Sequence, residues 1–175
     1  MAALIPSASA TGSGTMTLAG PSTNSNQTVT IPDTTGTMMV SGNMPAFSAY
    51  PSSNQSVTSA TFTKILFQTE LFDTNNYFLN STFTPLIAGY YQINAYLSPN
   101  TTVTRGLVTL YKNGSRVAIF ADIPSAMNTN GGSTLIYMNG TTDYVEVYGY
   151  LVGVSPEMNG ASDGTYFSGC LVRSA

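Results

Sequence analysis

The 175-residue chain has no histidine and no tryptophan, and only 7% of its residues carry charge. A typical soluble domain has about 25% charged residues. Without histidine the chain lacks the usual general base and the commonest metal ligand. The net charge is −3, so copies of the chain repel one another little. This composition disfavours acid–base catalysis and favours a surface that tolerates close packing against copies of itself.

Positive charge is too sparse for a nucleic-acid interface. Binding to phosphates needs clustered Lys and Arg side chains that release counterions. The chain has five scattered cations: Lys64, Arg105, Lys112, Arg116 and Arg173. We therefore expect no nucleic-acid partner.

One cysteine, Cys170, leaves no partner for a disulfide within the chain. It lies in a strand-like run, and we expect a small buried hydrophobic residue there and not a nucleophile. No stretch approaches the about 18 apolar residues of a membrane-spanning helix. The first six residues also lack the basic segment and the long apolar run of a signal peptide. We expect no membrane contact.

The carboxylates suggest one alternative, a carbohydrate-active enzyme. Glycosidases use two carboxyl groups that flank the scissile bond, and Glu70 with Asp73, or Asp143 with Glu146, are close in sequence. We favour the simpler interpretation, in which acids at strand ends and turns are solvated or cap backbone groups. The full set is Asp33, Glu70, Asp73, Asp122, Asp143, Glu146, Glu157 and Asp163. We predict no catalytic residue.

No cofactor or metal site is predicted either. Asp122, Asp143 and Asp163 offer oxygens of the kind that calcium prefers, but no loop has a recognisable ligand spacing. The Gly12-Ser13-Gly14 segment has the composition of a linker, and no helix is predicted after it as a phosphate loop would need. The prediction is a non-enzymatic protein without a cofactor.

Residues 1–45 differ from the rest, since they contain one charged residue, Asp33, and no aromatic residue. Alternating apolar and Thr positions predict three short strands there, at Thr15–Leu18, Thr28–Ile31 and Thr37–Val40. So small a unit is not stable alone. We predict a β-rich anchoring arm over 1–45 that buries its apolar face against a partner or the main domain over 46–175.

The main domain shows many short strand-like runs separated by turn signals, and no helix of ordinary length. Asn113-Gly114 is a strong hairpin signal, and Asn139-Gly140 is predicted to form a second such turn. The runs are 46–50, 61–67, 77–84, 89–97, 106–112, 116–121, 133–138, 143–151 and 165–173. This pattern indicates an all-β sandwich or barrel.

Several segments in order resemble one family over residues 46–173. They are Phe47-Ser48-Ala49, Phe62 to Phe67, Phe83-Thr84-Pro85, Ala88 to Ile93, Leu110 to Gly114 and Tyr166 to Leu171. Together they resemble the globular head of the complement first-component q-subunit family, relatives of tumour necrosis factor. The resemblance implies a jelly roll of two five-stranded antiparallel sheets, a tight homotrimer, and binding through loops and outer strands without enzymatic activity.

This resemblance makes physical sense at the strand after Gly89, where we expect positive φ or close backbone approach. Tyr91, Ile93 and Ala95 alternate with Tyr90, Gln92, Asn94 and Tyr96, so one set faces the core and the other offers an interface. Phe167, Gly169 and Leu171 are expected to close the sandwich. The chain departs from the animal members because it has no collagen stalk, and Gly140-Thr141-Thr142-Asp143 stretches their Gly-Asp pair.

The arm is similar instead to Thr-rich segments of tail-fibre and surface proteins of tailed bacteriophages, through 15–21 and 31–37. Arm and domain together suggest a protein on the virion surface that docks to another virion protein through residues 1–45. We favour a capsid decoration or short head fibre, because so short an arm builds no long shaft. The alternative is the receptor-binding tip of a tail fibre, which binds host-surface glycans through the loops 128–132 and 156–164.

Overall fold

The computed structural model describes residues 39–175 and six isolated earlier positions, 13, 17, 20, 22, 24 and 26. The chain divides into two units, Met1–Gly36 and Thr37–Ala175. The arm strands predicted over 15–18 and 28–31 lie outside the described residues, apart from position 17, and so does half of the third. Of that third run, Met39 and Val40 belong to no strand. The arm boundary at residue 45 stays a prediction.

Within the described range the chain forms thirteen β-strands, one 3-10 turn at Ser41–Asn43 and no α-helix. No helix in this range is long and apolar enough to cross a membrane. The strands are β1 (Ala46–Tyr50), β2 (Gln55–Ser56), β3 (Thr63–Lys64), β4 (Thr69–Asp73), β5 (Phe78–Leu79), β6 (Thr82–Phe83), β7 (Gly89–Leu97), β8 (Val103–Lys112), β9 (Ser115–Ile123), β10 (Asn130–Met138), β11 (Val145–Gly153), β12 (Glu157–Met158) and β13 (Tyr166–Ser174).

Two antiparallel sheets form a jelly-roll sandwich, which confirms the predicted fold class. The first sheet has five strands in the order β10-β7-β13-β1-β4. The second runs β5-β6-β11-β8-β9, and β3 joins it on β11, so it has six strands where the resemblance implied five. The chain crosses directly between the two sheets six times: from β3 to β4, β4 to β5, β6 to β7, β7 to β8, β9 to β10 and β10 to β11. A small separate pair joins β2 to β12.

Phenylalanine rings from both sheets form the centre of the core. The Phe47 ring stacks on Phe83 with centroids 4.3 Å apart and on Phe78 at 4.9 Å. Phe167 meets Phe47 edge-on at 4.9 Å. All four side chains are buried. Edge and offset contacts of this kind add to the free energy that apolar burial alone supplies.

Strand β7 follows the predicted alternation. Tyr91, Ile93 and Ala95 are fully buried, and the Tyr91 hydroxyl donates to the Ile87 carbonyl at 2.8 Å. Gly89 has no positive φ, but a side chain there would lie against the Arg173 carbonyl oxygen and 2.7 Å from Leu171 Cδ1. Close approach of β13, and not turn geometry, therefore explains this glycine.

Two turn predictions have different outcomes. Asn113 and Gly114 both have positive φ, 51° and 76°, and close the β8–β9 hairpin as predicted. The prediction for Asn139-Gly140 was wrong, because only Gly140 has positive φ and the segment carries the chain from one sheet to the other. There the Asn139 side-chain oxygen accepts from the amides of residues 141–143.

The run predicted over 77–84 is not one strand. Asn80 and Ser81 both have positive φ and form a tight turn between β5 and β6. The Ser81 hydroxyl is buried and accepts from the Phe67 amide at 2.7 Å, which ties this turn to the chain after β3.

Strand β4 was not predicted. It lies at the edge of the first sheet, where most of its side chains are exposed and no alternation marks it.

Candidate functional site

The side chains of β7, β10 and the first part of β13 that point away from the core form an uncharged surface, here called the tyrosine face. Strand register identifies its members, because residues directly paired across antiparallel strands have side chains on the same face of the sheet. Gln92 in β7 pairs with Leu135 in β10 and with Cys170 in β13. On these three strands the face comprises Tyr90, Gln92, Asn94, Tyr96, Ser133, Leu135, Tyr137, Tyr166, Ser168 and Cys170. Ser48 and Phe72 continue it onto β1 and β4, and Arg173, which pairs with Tyr90 beyond a bulge in β13, lies at its border.

Aromatic and amide contacts organise this face. Tyr96 and Tyr166 stack with centroids 5.2 Å apart, and Tyr90 lies 5.6 Å from Tyr137. Between these pairs, the Asn94 amide donates to the Ser168 hydroxyl at 3.4 Å. Burial and the nearby Tyr96 raise the pKa of Tyr166, so its hydroxyl stays neutral. Tyrosine-rich, uncharged surfaces are typical of the centres of protein–protein interfaces.

Cys170 corrects a prediction, since its side chain is exposed and not buried. The alternation is the cause: Phe167, Gly169 and Leu171 face the core, which turns Cys170 outward onto the tyrosine face. The expectation for those three flanking residues is confirmed.

An apolar groove borders the tyrosine face where β9 and β10, the edge strands of the two sheets, run side by side. The groove has a volume of about 320 Å³. It is lined by Lys112, Val117, Ala118, Thr134, Leu135, Ile136 and Tyr137. Leu135 is 58% exposed and Val117 is 48% exposed. Leu135 and Tyr137 belong to both surfaces, so the apolar area continues around this edge of the sandwich, where Lys112 is the charged residue of the groove lining.

The carboxylates are not brought together as a catalytic pair. Asp143 pairs with Lys112 at 2.7 Å, whereas Glu146 pairs with Lys64 at 2.6 Å. The other described acids are spread over strands and turns. Asp73 caps the Phe78 amide, Asp122 pairs with Arg105, Glu157 accepts from Asn54 and Asn100, and Glu70 and Asp163 are exposed. Asp33 lies outside the described residues. Among the residues that are described, no group of three or more acidic or cysteine side chains could hold a metal ion.

The surroundings of Asp143 predict that the stability of the domain falls at low pH. Burial alone would raise its pKa, but hydrogen bonds from Lys112, Asn113 and the Asn139 amide, together with the lysine charge, lower it below the usual value. Because the pKa is lower in the folded state, the Asp143 carboxylate stabilises the fold at pH values above the unfolded-state pKa of about 3.9. This stabilisation is lost as the pH falls through the folded-state pKa.

We expect Asp143→Asn to lower the unfolding free energy by about 1–2 kcal/mol at pH 7, because Lys112 loses its carboxylate partner and keeps only the Tyr137 carbonyl. As the pH falls from about 4 toward the lower folded-state pKa, the wild type should approach the variant, since the unfolded chain then binds a proton that the folded carboxylate still resists. Urea titrations at several pH values measure both. A gap between the two proteins that stays constant down to about pH 3 would contradict this role for the ion pair.

The loops predicted to bind glycans are partly regular structure. Strand β10 begins at Asn130, within the loop predicted over 128–132. Strand β12 occupies Glu157–Met158, and Met158 is fully buried. Neither segment is therefore a free loop throughout.

Sequence reasoning missed a second aromatic group, on the outward face of the second sheet. Its signal was the alternation in β11, where Tyr148 and Tyr150 stand between buried residues.

No protein-family model and no curated protein matches the sequence. Solved structures with the same fold include murine APRIL, which is 13% identical with a TM-score of 0.56 over 74% of this chain and 99% of that one. The globular domain of the zebrafish complement 1qA protein is 18% identical, TM-score 0.53, over 75% and 98%. The PRD1 vertex protein P5 is 15% identical, TM-score 0.55, over 74% and 73%. At these identities the likeness establishes the jelly-roll fold alone.

Proposed function

We propose that the chain is a non-enzymatic module of a tailed-phage virion, which assembles as a homotrimer and decorates the capsid surface as a decoration protein or short head fibre. The observation that carries the proposal is the tyrosine face, an uncharged surface that is uncovered in the single chain. Contiguous exposed apolar area on a soluble protein marks a binding surface in most cases.

Self-association is the use of this face that the chemistry favours. Its ten side chains include four tyrosines and no charge, and the cation Arg173 lies at its border, so burying the centre of the face against another copy desolvates no ion. The apolar groove between β9 and β10 offers a complementary edge on each copy. A face on one copy that meets an edge on the next is a head-to-tail contact, and such contacts close into rings when the rotation permits. The family resemblance supports a ring of three.

A place on the virion is supported by two observations of different kinds. The arm resembles segments of phage tail-fibre and surface proteins, and one fold neighbour is a vertex protein. The absence of enzymatic activity is supported by the described carboxylates, which are spread among ion pairs, backbone caps and exposed positions. Attachment through the arm follows from its predicted apolar strand faces, which need a partner to cover them.

Removal of Met1–Gly36 tests the attachment role, because the second unit begins at Thr37. We expect the shortened protein to remain a folded trimer that no longer joins particles. Met39 packs against the core, so the cut leaves the domain's own contacts in place. The measurements are incorporation into virions that lack the native protein and a melting curve of the shortened protein. Normal decoration by the shortened protein would overturn the role of the arm, and unfolding would show that it belongs to the domain.

The receptor-binding tip of a tail fibre is a second candidate, favoured by the aromatic group on the outward face of the second sheet. The copy number per virion separates the two candidates. Many copies over the shell support the decoration protein, and a few trimers at the tail support the fibre tip.

A further inference from the structure

The outward face of the second sheet carries a compact aromatic group, here called the Phe62 cluster: Phe62, Tyr111, Tyr148, Tyr150 and Arg116. Phe62 precedes β3, and its ring lies 5.0 Å from Tyr150 and 6.3 Å from Tyr111. Tyr111 stacks on Tyr148 with centroids 4.1 Å apart. All four aromatic side chains are half-buried, so the cluster is held in place while part of each ring remains accessible.

Arg116 gives this cluster an unneutralised positive charge. Its guanidinium lies over the Phe62 ring at 5.3 Å, and the side chain is exposed. Lys64, Arg105 and Lys112 each have a carboxylate within 2.9 Å. Among the residues that the structure describes, Arg116 has no such partner. The ring orients the guanidinium and leaves its donors free for an anion.

Polar groups border the rings on the side away from Arg116. Glu146 accepts from Lys64 at 2.6 Å and from the Thr82 hydroxyl at 3.0 Å. The Tyr148 hydroxyl lies 3.5 Å from the second Glu146 oxygen. Burial and Glu146 raise the pKa of Tyr148, so this hydroxyl keeps its proton and remains a donor. The cluster thus combines apolar rings, hydrogen-bonding groups and one cation within a small area.

We propose that the Phe62 cluster is a binding site for a carboxylate-bearing sugar. The apolar C–H side of a pyranose ring covers aromatic rings and removes them from water. The sugar carboxylate pairs with the Arg116 guanidinium in a bidentate contact. The sugar hydroxyls form hydrogen bonds with the Tyr148 hydroxyl and the Glu146 carboxylate. The unneutralised cation is what selects an acidic sugar over a neutral one. This site belongs to the single chain and lies on the opposite sheet from the tyrosine face, so it does not depend on the proposed trimer.

Calorimetric titration of the full-length protein tests the proposal with two acidic probes and their neutral counterparts. The pairs are tri-galacturonic acid with its methyl ester, and sialyllactose with lactose. We expect at least one acid to bind and its neutral counterpart to bind at least about tenfold more weakly, because a charge-assisted contact is lost. Binding of the acid should also weaken as salt is added.

Two arginine variants locate the site. Arg116→Gln should weaken acid binding at least about tenfold. Arg173→Gln removes the same charge from the first sheet and should leave binding unchanged. Phe62→Leu, which keeps apolar bulk but removes the ring, should weaken binding of the acidic probe as well. Circular dichroism confirms that each variant is folded. The proposal is overturned if neither acid binds, if acid and neutral forms bind equally, or if the two arginine variants behave alike.

Discussion

Phe47→Ala is expected to lower the free energy of unfolding by about 3–5 kcal/mol, the range for deleting a buried aromatic ring from a core. Phe47 is 1% exposed and contacts three other rings within 4.9 Å. It sits on β1, between the rings of Phe83 and Phe78 from the second sheet and Phe167 from its own. Its loss leaves a cavity that rings held by two different sheets cannot readily close.

Urea unfolding at one fixed protein concentration measures this effect, since the stability of an oligomer depends on concentration. Leu79→Ala is the control, because Leu79 is 70% exposed at the tip of β5. We expect the control to change stability by less than about 0.5 kcal/mol. A loss below about 1 kcal/mol for Phe47→Ala would mean that the aromatic rings are not the centre of the core.

Gly89→Val is expected to cost about 3 kcal/mol, at the upper end for overpacking a well-packed site. The added side chain would meet the Arg173 carbonyl oxygen, Leu171 Cδ1 at 2.7 Å and Ser174 Cα at 3.0 Å. Two of these three atoms belong to the backbone of β13, which cannot rotate away as a side chain can. The strands would have to separate where β7 begins, and the pairing of Gly89 with Ser174 would be lost.

Gly42→Val is the matched control, since nothing lies within 4 Å of a side chain placed there. It should stay within about 0.5 kcal/mol of the wild type. Thermal melting compares the pair, and for a domain of this size each kcal/mol shifts the midpoint by about 2–4 °C. Equal melting temperatures for the two variants would show that β13 does not press on Gly89.

Much of the sandwich could be predicted because its long strands carry their own periodicity. In β7 the apolar side chains alternate with tyrosines and amides, so both its existence and its two faces follow from local sequence. The Asn113-Gly114 hairpin is equally local. The tyrosine face was anticipated for the same reason, at least along β7.

The remaining features depend on contacts that local sequence does not record. Strand β4 exists because β1 pairs with it, although its side chains are mostly exposed. The segment at Asn139-Gly140 has a hairpin sequence, but β10 and β11 pair with different neighbours, so it became a crossing. The Phe62 cluster joins residues from β8, β9, β11 and the segment before β3, which only the folded sheet brings together.

The mass of the purified protein in solution, by light scattering at micromolar concentration, tests most directly whether the chain assembles through the tyrosine face. We expect the wild type to have three times the 18.4 kDa chain mass. The Gln92→Lys variant should have one chain mass, because it places an unpaired charge at the centre of the buried face. Ser162→Lys adds the same charge in an exposed loop and should remain a trimer. A monomeric wild type, or a Gln92→Lys variant that stays trimeric, would show that the chain does not assemble through the tyrosine face.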